Sequence, residues 1–444
     1  MKLRVEQEAW AGFSDALRQE PVLESAGIIL TEAVGPDRDA LVARHFFVLP
    51  DEGYIVRERD RIQIHPVALN RYARQARVEG LSILTVHTHP GTTEPWFSPA
   101  DDIGDARLMP SFEQQMPGPH GSLVIAGKSG EVVARAWRDG ERGPMVVRIV
   151  GQTIRTMLAG TAGGSSEGWF ARQRLALGPH GQATLRGLHV GVVGLGGTGS
   201  VTAMQLAHMG VRRLTLVDGD RLESSNVSRV VGASSAAGAG SLSKVDVVRR
   251  YIEQLGIECD VHAVEGDLGG QVPANDLLAC DVIMSCVDRH TPRALLNRLA
   301  YDSLIPVVDM GSAFRVDHHG AVVASAGRVV VVGPGRPCLA CWGHIDARQL
   351  HVEALPEGER ASLQAEGYIE GADVPQPSVM PFNTMLSGAA VIELLRLVTG
   401  FAGAENPPNR LAFDFENGVI RRNQLVAGNS CCICGSTSSE AQSA

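Results

Sequence analysis

The stretch "LHVGVVGLGGTGSVTAMQLAHMGV", from Leu188 to Val211, constrains the fold of this chain more than any other feature. An apolar run enters a glycine-rich turn, and a helical pattern leaves it. The next apolar run, "LTLVDGD", reaches Asp218, and an acidic residue at this distance suits a ribose hydroxyl. Alone, the pattern predicts a Rossmann-like nucleotide site with NAD as the default ligand. Four glycines would let the backbone approach a phosphate at the helix N-terminus, namely Gly194, Gly196, Gly197 and Gly199.

The residues that follow this turn are unlike those of a dehydrogenase. "DGDRLESSNVSRV" carries Asp220, Asn226 and Arg229, and "SLSKVD" adds Lys244. Asn, Arg and Lys together suit a triphosphate and its charged transition state. "DVIMSCVDRHTPR" puts Asp288 at the end of a predicted strand, where a carboxylate can hold Mg²⁺. The ordered set favours ATP with Mg²⁺ over NAD.

The order G-x-G-G-x-G, D-x-D-x(5)-N-x-x-R, Lys, Asp resembles the adenylating domain of ThiF/MoeB type. Ubiquitin-activating enzymes share this domain with the sulfur-carrier activators of molybdopterin and thiamine synthesis. The resemblance spans about 169–435 and implies a Rossmann-like, doubly wound α/β domain that works as a homodimer. "WFARQ" resembles the family's entry helix, which implies that Arg172 reaches the ATP phosphates, often across the dimer.

The chemistry implied by this resemblance is ATP-dependent adenylation of the C-terminal glycine carboxylate of a ubiquitin-like or sulfur-carrier protein. The carboxylate is already ionised, so the reaction requires no general base. Positioning and neutralisation of phosphate charge would carry the catalysis.

A second motif, "VHTHPGTTEPWFSPADD", lies between Val86 and Asp102. His87 and His89 alternate on a predicted strand and therefore project to the same side. With Asp101 they would give zinc three protein ligands and leave a fourth position for water, the pattern of catalytic zinc. H-x-H alone is a weak signal, and a half-exposed strand end is the alternative interpretation.

With S-x-x-D after eight intervening residues, this motif resembles that of the JAMM (JAB1/MPN) metalloproteases. The resemblance covers about the first 140 residues and implies a JAB/MPN-type α/β domain. Such enzymes hydrolyse peptide or isopeptide bonds after the C-terminal glycine of a ubiquitin-like protein. The implied roles are His87, His89 and Asp101 as zinc ligands, Ser98 as oxyanion support, and Glu24 of "LESAGIILTE" as general acid/base, with Glu32 and Glu94 as fallback bases.

The cysteines give a third pattern. "PCLAC" and "NSCCICG" each contain C-x-x-C, about ninety residues apart, which suits a structural four-thiolate zinc site. The same two pairs occur in the sulfur-carrier activators. The predicted ligands are Cys338, Cys341, Cys431 and Cys434, with Cys432 as a less favoured substitute for Cys431 because the two-residue gap fits Cys431.

The remaining cysteines bear on whether a thioester is formed. Cys259, Cys280 and Cys286 are predicted to be buried and inert. Family members that form a thioester carry a cysteine in the crossover loop, and the corresponding segment here, 366–388, has none. This difference favours adenylation alone, or adenylation followed by transfer to another protein's thiol.

Length and composition limit the domain organisation. The 444 residues predict two or three domains. The expected division is a metalloprotease domain over 1–150, a flexible linker over 151–168 with "AGTAGGSSEG", an adenylating domain over 169–435 and a disordered tail over 436–444.

The charge and the apolar pattern exclude some partners. A net charge of −9, from 40 basic and 49 acidic residues, argues against a nucleic-acid partner. The N-terminus lacks the apolar core of a signal peptide, and no apolar run is read as a membrane span. The expectation is a cytoplasmic protein without a membrane partner.

The leading interpretation is a bifunctional enzyme of a prokaryotic ubiquitin-like system. The peptidase cleaves after a C-terminal glycine, and the activator adenylates that glycine for conjugation, with a ubiquitin-conjugating-enzyme-like protein as a further partner. Fusion would keep both sites near one small protein. In bacteria such pairs resemble conjugation operons, some of them tied to antiphage defence.

Three alternatives are weighed against it. One is processing and activation of a sulfur carrier for cofactor or cysteine synthesis, which the missing thioester cysteine supports. Another is a binding scaffold with inactive sites, against which the intact set of Glu24, His87, His89 and Asp101 argues. The third, an NAD oxidoreductase, does not account for the Asn226, Arg229 and Lys244 set.

Overall fold

A computed structural model of the chain describes residues 1–116, 118–157, 168–234, 242–269, 272–319, 321–366, 377–401, 409–426, 428 and 430–435. The chain divides into two compact units, which among these residues are 1–157 and 168–435. The predicted tail, 436–444, and residues 158–167 of the predicted linker lie outside the described residues.

The first unit is built on a nine-stranded mixed sheet with the order β11-β10-β1-β3-β2-β6-β7-β8-β9. A separate two-stranded hairpin pairs β4 with β5. The strands are β1 (Lys2–Glu6), β2 (Ala26–Val34), β3 (Ala40–Val48), β4 (Tyr54–Arg57), β5 (Ile62–Ile64), β6 (Ser82–His89), β7 (His120–Ala126), β8 (Val132–Arg138), β9 (Glu141–Pro144), β10 (Val146–Val150) and β11 (Ile154–Met157), and the helices are α1 (Gln7–Arg18), α2 (Pro66–Glu79) and α3 (Pro99–Gln115).

Two apolar layers cover this sheet. Trp10, Phe13 and Leu17 of α1 are buried in one cluster with side chains of β1, β6 and β7. Tyr72 of α2 and Met109 of α3 belong to a second cluster. Residues that alternate along β6 point to opposite faces, so both faces of this strand are buried and the strand is rigid where it ends at the two histidines.

Local signals set the ends of the helices. Helix α2 begins with Pro66 in its first turn, and Gly80 ends it in the left-handed conformation at φ 69°. Helix α3 begins with a capping box in which Ser98 and Asp101 bond each other's main chain. These two ends place the segment that leads into β6 and the acidic first turn of α3.

The predicted linker starts too early. Residues Ile154–Met157, which fall within 151–168, form β11 and pair antiparallel with Val147–Val150 of β10. Ile154 and Met157 are buried, so this segment belongs to the first sheet. Only residues 151–153 separate β10 from β11, so the two strands form a tight hairpin where the linker was expected to begin.

The second unit contains an eight-stranded sheet with the order β14-β13-β12-β15-β16-β17-β18-β19. Strands β14 to β16 are parallel, and β16 to β19 are antiparallel. The strands are β12 (His189–Val193), β13 (Arg213–Asp218), β14 (Asp260–Glu265), β15 (Val282–Ser285), β16 (Val307–Val316), β17 (Val322–Val332), β18 (Arg410–Asp414) and β19 (Val419–Asn423).

Helices surround the parallel half of this sheet. Val190, Leu214 and Ile283 are fully buried, as expected for parallel strands covered on both faces. The helices are α4 (Ala171–Arg186), α5 (Gly197–His208), α6 (Lys244–Gln254), α7 (Val272–Leu277), α8 (His290–Asp302), α9 (Ala347–Ala354), α10 (Glu357–Ala365) and α11 (Met380–Thr399).

Helix α11 is long and apolar enough to span a membrane, with a mean hydropathy of 1.2, although no run of that kind was expected. Half of its apolar window is buried inside the unit, where it packs against α5 and β16. Core helices of soluble proteins have the same composition, so this helix is weak support for a membrane span.

Candidate metal and nucleotide sites

The end of β6 and the first turn of α3 bring three potential metal ligands together in the first unit. His87 Nε2 lies 3.2 Å from Asp101 Oδ1 and 3.3 Å from His89 Nε2. His89 Nε2 lies 4.0 Å from Asp101 Oδ2. All three ligand atoms are within 4.8 Å of one another. We call this group the His–Asp cluster.

Glu24 lies beside the His–Asp cluster, just before β2. Its Oε1 is 3.9 Å from His89 Nε2, and its side chain is 7% exposed. Burial raises the pKa of Glu24 to about 7, although the charge of His87 opposes this shift. A carboxyl group with such a pKa can both accept and return a proton near neutral pH.

Burial also governs the ligands themselves. It lowers the pKa of His89 to about 4, together with the charge of His87, so His89 is neutral and able to ligate a metal. For Asp101, burial would raise the pKa, but hydrogen bonds and charge from His87 and bonds to Ser98 lower it below the ordinary value. Asp101 is therefore ionised. Two imidazoles and one carboxylate are a donor set that zinc accepts.

The capping box orients Asp101 and occupies Ser98. Ser98 N donates to Asp101 Oδ2 at 2.6 Å, and Asp101 N donates to Ser98 Oγ at 3.2 Å. The Ser98 hydroxyl accepts one bond here and keeps its own proton to donate. The first two turns of α3 are further held by Arg135 of β8, which donates to Asp102 and Asp105.

The fallback bases are not placed as Glu24 is. Glu32 accepts from Arg44 Nε at 3.0 Å on the neighbouring strand. Glu94 is exposed in the loop between β6 and α3. Trp96, in the same loop, is 51% exposed, and its ring centroid lies 4.8 Å from that of His89. The sequence motif did not single out this tryptophan.

Four cysteines converge in the second unit, and we call them the thiol cluster. Cys338 Sγ lies 3.7 Å from both Cys341 Sγ and Cys431 Sγ, and Cys341 Sγ lies 3.5 Å from Cys434 Sγ. A tetrahedral zinc with Zn–S bonds of about 2.3 Å separates its sulfurs by about 3.8 Å. The spacing therefore fits a zinc ion bound by these four residues. Cys432 is exposed and is not among them.

The glycine turn, residues 194–199, joins β12 to α5. Gly194 has φ 84°, and a Cβ there would lie 2.7 Å from the carbonyl oxygen of Cys286. A Cβ on Gly199 would lie 1.7 Å from the carbonyl oxygen of Gly194. Only glycine fits at either position, so the turn stays tight at the start of the helix. Gly196 and Gly197 begin α5, and Gly196 is its N-cap.

Asp218 closes this turn from the end of β13. Its Oδ2 accepts from Leu195 N at 2.5 Å, and its Oδ1 accepts from Asp220 N at 2.8 Å. Burial raises the pKa of Asp218, whereas the charge of Lys244 lowers it. Lys244 Nζ lies 2.6 Å from Asp220 Oδ2 and 4.0 Å from Asp218 Oδ1. A cation and two carboxylates thus meet beside the glycine turn.

Asn226 and Arg229 form a neighbouring turn. Asn226 is buried, and its Oδ1 accepts from Glu223 N at 3.2 Å, so its amide caps the short 3₁₀ turn Ser224–Asn226. Arg229 Nη1 donates to Ser225 O at 2.7 Å. The Cβ of Arg229 lies 3.3 Å from where a Cβ on Gly197 would stand, which places this arginine against the turn.

The last two predicted nucleotide residues are exposed. Asp288 follows β15, which pairs in parallel with β12, so both strands end at the same edge of the sheet. Arg172 lies near the start of α4. Among the described residues, neither forms a hydrogen bond or ion pair with the residues around the glycine turn.

Asn383, in the first turns of α11, is a residue that the motifs missed. It is 1% exposed, and its Nδ2 would lie 2.2 Å from a Cβ on Gly197. The same Nδ2 donates to Ser378 Oγ at 3.0 Å. Asn383 thus ties the glycine turn to the chain just before α11, and glycine at 197 makes room for it.

Comparisons with known proteins fall on the second unit. The model of the ThiF family matches residues 170–433. The adenylyltransferase and sulfurtransferase uba4 of Aspergillus niger is 32% identical over 194 residues, 41% of this chain and 40% of the relative. The SAMP-activating enzyme E1 of Haloferax volcanii is 30% identical over 166 residues, 37% of this chain and 57% of the relative.

A solved structure is similar as well. The crystal structure of E. coli MccB with AMPCPP and MccA is 15% identical, with a TM-score of 0.48, covering 62% of this chain and 75% of that chain. The chain spans about half the length of the curated relatives it matches.

Proposed function

The chain belongs to the ThiF family, and on this premise we propose that its second unit adenylates the C-terminal carboxylate of a small ubiquitin-like or sulfur-carrier protein with ATP. The observation that carries the proposal is the meeting of Asp218, Asp220 and Lys244 beside a glycine turn that admits only glycine at 194 and 199. ATP would supply the AMP group and release pyrophosphate.

Each residue of the proposed nucleotide site has a role that follows from its chemical type. The glycine turn would hold phosphate at the start of α5, and Asp218 would hold the ribose. Lys244 and Arg229 would neutralise charge that develops on the phosphates, and Asn226 would shape the loop that carries Arg229. Asp288 would hold Mg²⁺. Arg172 would reach the phosphates from the partner subunit of a homodimer.

The relatives favour one substrate class over the other. One is named a sulfurtransferase as well as an adenylyltransferase, and another activates a protein called SAMP. The sequence of 366–388 contains no cysteine for a thioester. We therefore favour activation of a sulfur carrier over conjugation through a ubiquitin-conjugating-enzyme-like protein.

Exchange of labelled pyrophosphate into ATP tests this proposal. Exchange should depend on a partner protein that ends in glycine and should fail with the same protein lacking its last residue. Pairing the enzyme with sulfur-carrier and ubiquitin-like candidates of the same organism separates the two substrate classes. No exchange with any glycine-terminated partner would overturn the proposal.

A second function is favoured by the His–Asp cluster and the buried Glu24 beside it. We propose that the first unit is a zinc peptidase that cleaves after the C-terminal glycine of the same small protein, as JAMM proteases do. Zinc, held by His87, His89 and Asp101, would supply Lewis-acid activation. Glu24 would take a proton from the attacking water and pass it to the leaving nitrogen, and Ser98 would donate to the oxyanion.

Cleavage of a tailed substrate tests the second function. A small carrier protein with residues added after its terminal glycine should be trimmed to that glycine, and trimming should stop when a chelator removes the metal. If the zinc-loaded protein leaves the tailed precursor uncut, it does not mature the carrier protein. An isopeptide-linked conjugate, tested in parallel, shows whether the enzyme instead releases the carrier protein from its targets.

A further inference from the structure

Glu24 has little to hold its side chain in place. No hydrogen bond is described for its carboxylate, and His89 Nε2 lies 3.9 Å from Oε1, which is beyond hydrogen-bond distance. Glu24 also lies outside the regular sheet, since β2 begins two residues later. With no hydrogen bond described for the carboxylate, its position depends on its buried surroundings and on the main chain of Glu24 and Ser25.

That main chain is bonded on both sides. Glu24 N donates to Glu58 O at 2.8 Å, and Arg57 Nε donates to Glu24 O at 3.0 Å. Toward the sheet, Ser25 N donates to Thr88 Oγ1 at 2.9 Å, and Thr88 N donates to Ser25 O at 2.9 Å. Thr88 lies between the two histidines of the cluster, so the base and the ligands share one framework.

Arg57 bridges this framework with a second bond. Its Nη2 donates to Ser25 Oγ at 2.9 Å, so one guanidinium group bonds two consecutive residues. Its carbon Cζ stands 4.8 Å from the ring centroid of Tyr54, and its Nη1 lies 2.5 Å from Asp51 Oδ1. A planar fork with several fixed donors is suited to this task, whereas the ammonium of a lysine is a compact charge without that fixed geometry.

The β4–β5 hairpin places Arg57 next to Glu24 and Ser25. The pairing register shifts between Tyr54 and Val56, as at a β-bulge or other irregularity, and such a shift re-aims the side chains beyond it. Tyr54 fixes the other end, because Ala26 N donates to its hydroxyl at 2.9 Å. The hairpin stands outside the main sheet and contacts the chain at the base of the catalytic site.

We propose that Arg57 is a positioning residue that fixes Glu24 through the carbonyl oxygen of Glu24 and the hydroxyl of Ser25. The proposal rests on the proposed peptidase function. Arg57 is not itself in the His–Asp cluster, so its loss should spare zinc binding and substrate binding. Misplacing a reacting group by about 1 Å can lower a rate by roughly a hundredfold, and a loss of turnover of that order is expected here.

The test compares Arg57→Ala and Arg57→Lys with a matched control in the full-length protein. Arg59→Ala removes an exposed arginine of the same hairpin, for which no hydrogen bond is described. In Arg57→Ala, kcat for a tailed carrier protein should fall roughly tenfold to a hundredfold, with KM and zinc content unchanged. Millimolar guanidinium should restore part of the lost turnover. Arg57→Lys should be intermediate, and Arg59→Ala should match wild type.

Hydrogen exchange of the zinc-loaded protein gives a readout independent of turnover. The amides of Glu24 and Ser25 should exchange faster in Arg57→Ala, while amides in the centre of the sheet stay as in wild type. Faster exchange of these two amides in Arg57→Ala, together with no cleavage by the wild-type protein, would refute the peptidase proposal. It would still support the role of Arg57 in holding Glu24 and Ser25 in place.

Two results would overturn the role of Arg57. The first is wild-type turnover and exchange in Arg57→Ala under conditions where Glu24→Gln is inactive. The second is a loss of turnover in Arg57→Ala that comes with loss of zinc or of global stability and is not restored by guanidinium. That pattern would describe a residue needed only for folding.

Discussion

The two candidate metal sites of this chain differ in whether their protein donors would leave a coordination position of the metal free. The thiol cluster presents four sulfurs at the separations of a closed tetrahedron. The His–Asp cluster presents three donors, with the carboxylate of Glu24 3.9 Å from one of them. A closed shell suits a structural ion, and a three-donor shell next to a base suits catalysis.

The two sites also differ in the contacts that hold their ligand residues in place without a metal. Asp101 is fixed by the capping box of α3, and the two histidines end a strand that is buried on both faces. The thiol cluster instead joins two short turns, around 338–341 and 431–434, that are distant in the sequence. We therefore expect the first site to be preformed by its fold and the second to depend more strongly on an ion that joins the two turns.

The largest effect should follow from breaking the thiol cluster. Replacing Cys338 and Cys341 by serine together should remove one zinc, lower the melting temperature of the second unit and abolish adenylation. Structural zinc contributes on the order of 10 kcal/mol of apparent binding energy to folding, which is more than most domains have to spare.

Metal analysis and calorimetry, each performed on the full chain, measure this effect. The matched variant is His87→Ala, which should lose the other zinc and all cleavage while leaving both melting transitions nearly unchanged. The contrast between the sites would be broken if the serine variant kept its melting temperature, or if His87→Ala unfolded the first unit.

The next largest effect should come from replacing Glu24, and it would distinguish the proposed general base from the metal ligands. Glu24→Gln should keep zinc and lose roughly a hundredfold to ten-thousandfold in turnover, because general acid–base catalysis contributes about that much. Glu32→Gln and Glu94→Gln should stay near the wild-type rate, as their carboxylates lie elsewhere. Wild-type cleavage by Glu24→Gln would remove Glu24 from its proposed role.

The sequence predicted the second unit better than the first. The match to the ThiF family confirms the ThiF-type adenylating domain that was expected from the glycine turn and the residues after it. The apolar runs in "LHVGVVG", "LTLVDGD" and "DVIMSCVD" became the neighbouring parallel strands β12, β13 and β15. Each of these runs is apolar, and several lead into a motif that marks where the strand ends.

Other strands lack such signals. Strand β19, Val419–Asn423, is exposed along its whole length, so it has no apolar alternation to detect. Strand β1 contains Lys2 and Arg4, which are buried in the sheet, and buried cations resemble a surface segment in sequence. The peptidase domain remains a prediction from its motif and from the geometry of its residues.

Site residues were predictable where the motif is short and local. His87, His89, Ser98 and Asp101 fall within fifteen residues, and a strand end and a helix cap are enough to bring them together. Arg57 and Asn383 contact residues that are distant in the sequence. One sequence contains no pattern for such contacts, so only the structure reveals them.

A smaller effect is expected at the nucleotide site, where one of several charges is removed. Lys244→Ala should slow pyrophosphate exchange by roughly a hundredfold, because a charged contact to the transition state is worth about 2–4 kcal/mol. Arg229→Ala and Asp288→Ala should act similarly. Arg250→Ala, on the exposed face of the same helix α6, is the matched control, and an equal loss there would show a general effect of charge.

The smallest effect should come from the cysteines outside the thiol cluster, because adenylation is proposed to need none of them. Burial raises the pKa of Cys259 and of Cys286 to about 12, so neither supplies a thiolate, and Cys280 is fully buried. Cys432 is exposed, which makes Cys432→Ala the sharpest variant.

Single replacements of these four cysteines should leave pyrophosphate exchange within about twofold of wild type, since none of them is proposed to contact the phosphates. Intact-protein mass spectrometry, after reaction with ATP and the glycine-terminated partner, should find no covalent complex that a reductant releases. Such a complex on Cys432, lost in Cys432→Ala while exchange persists, would mean that adenylation is followed by thioester formation next to the thiol cluster. The second zinc would then sit beside a reactive residue, and the contrast between a structural and a catalytic site would no longer hold.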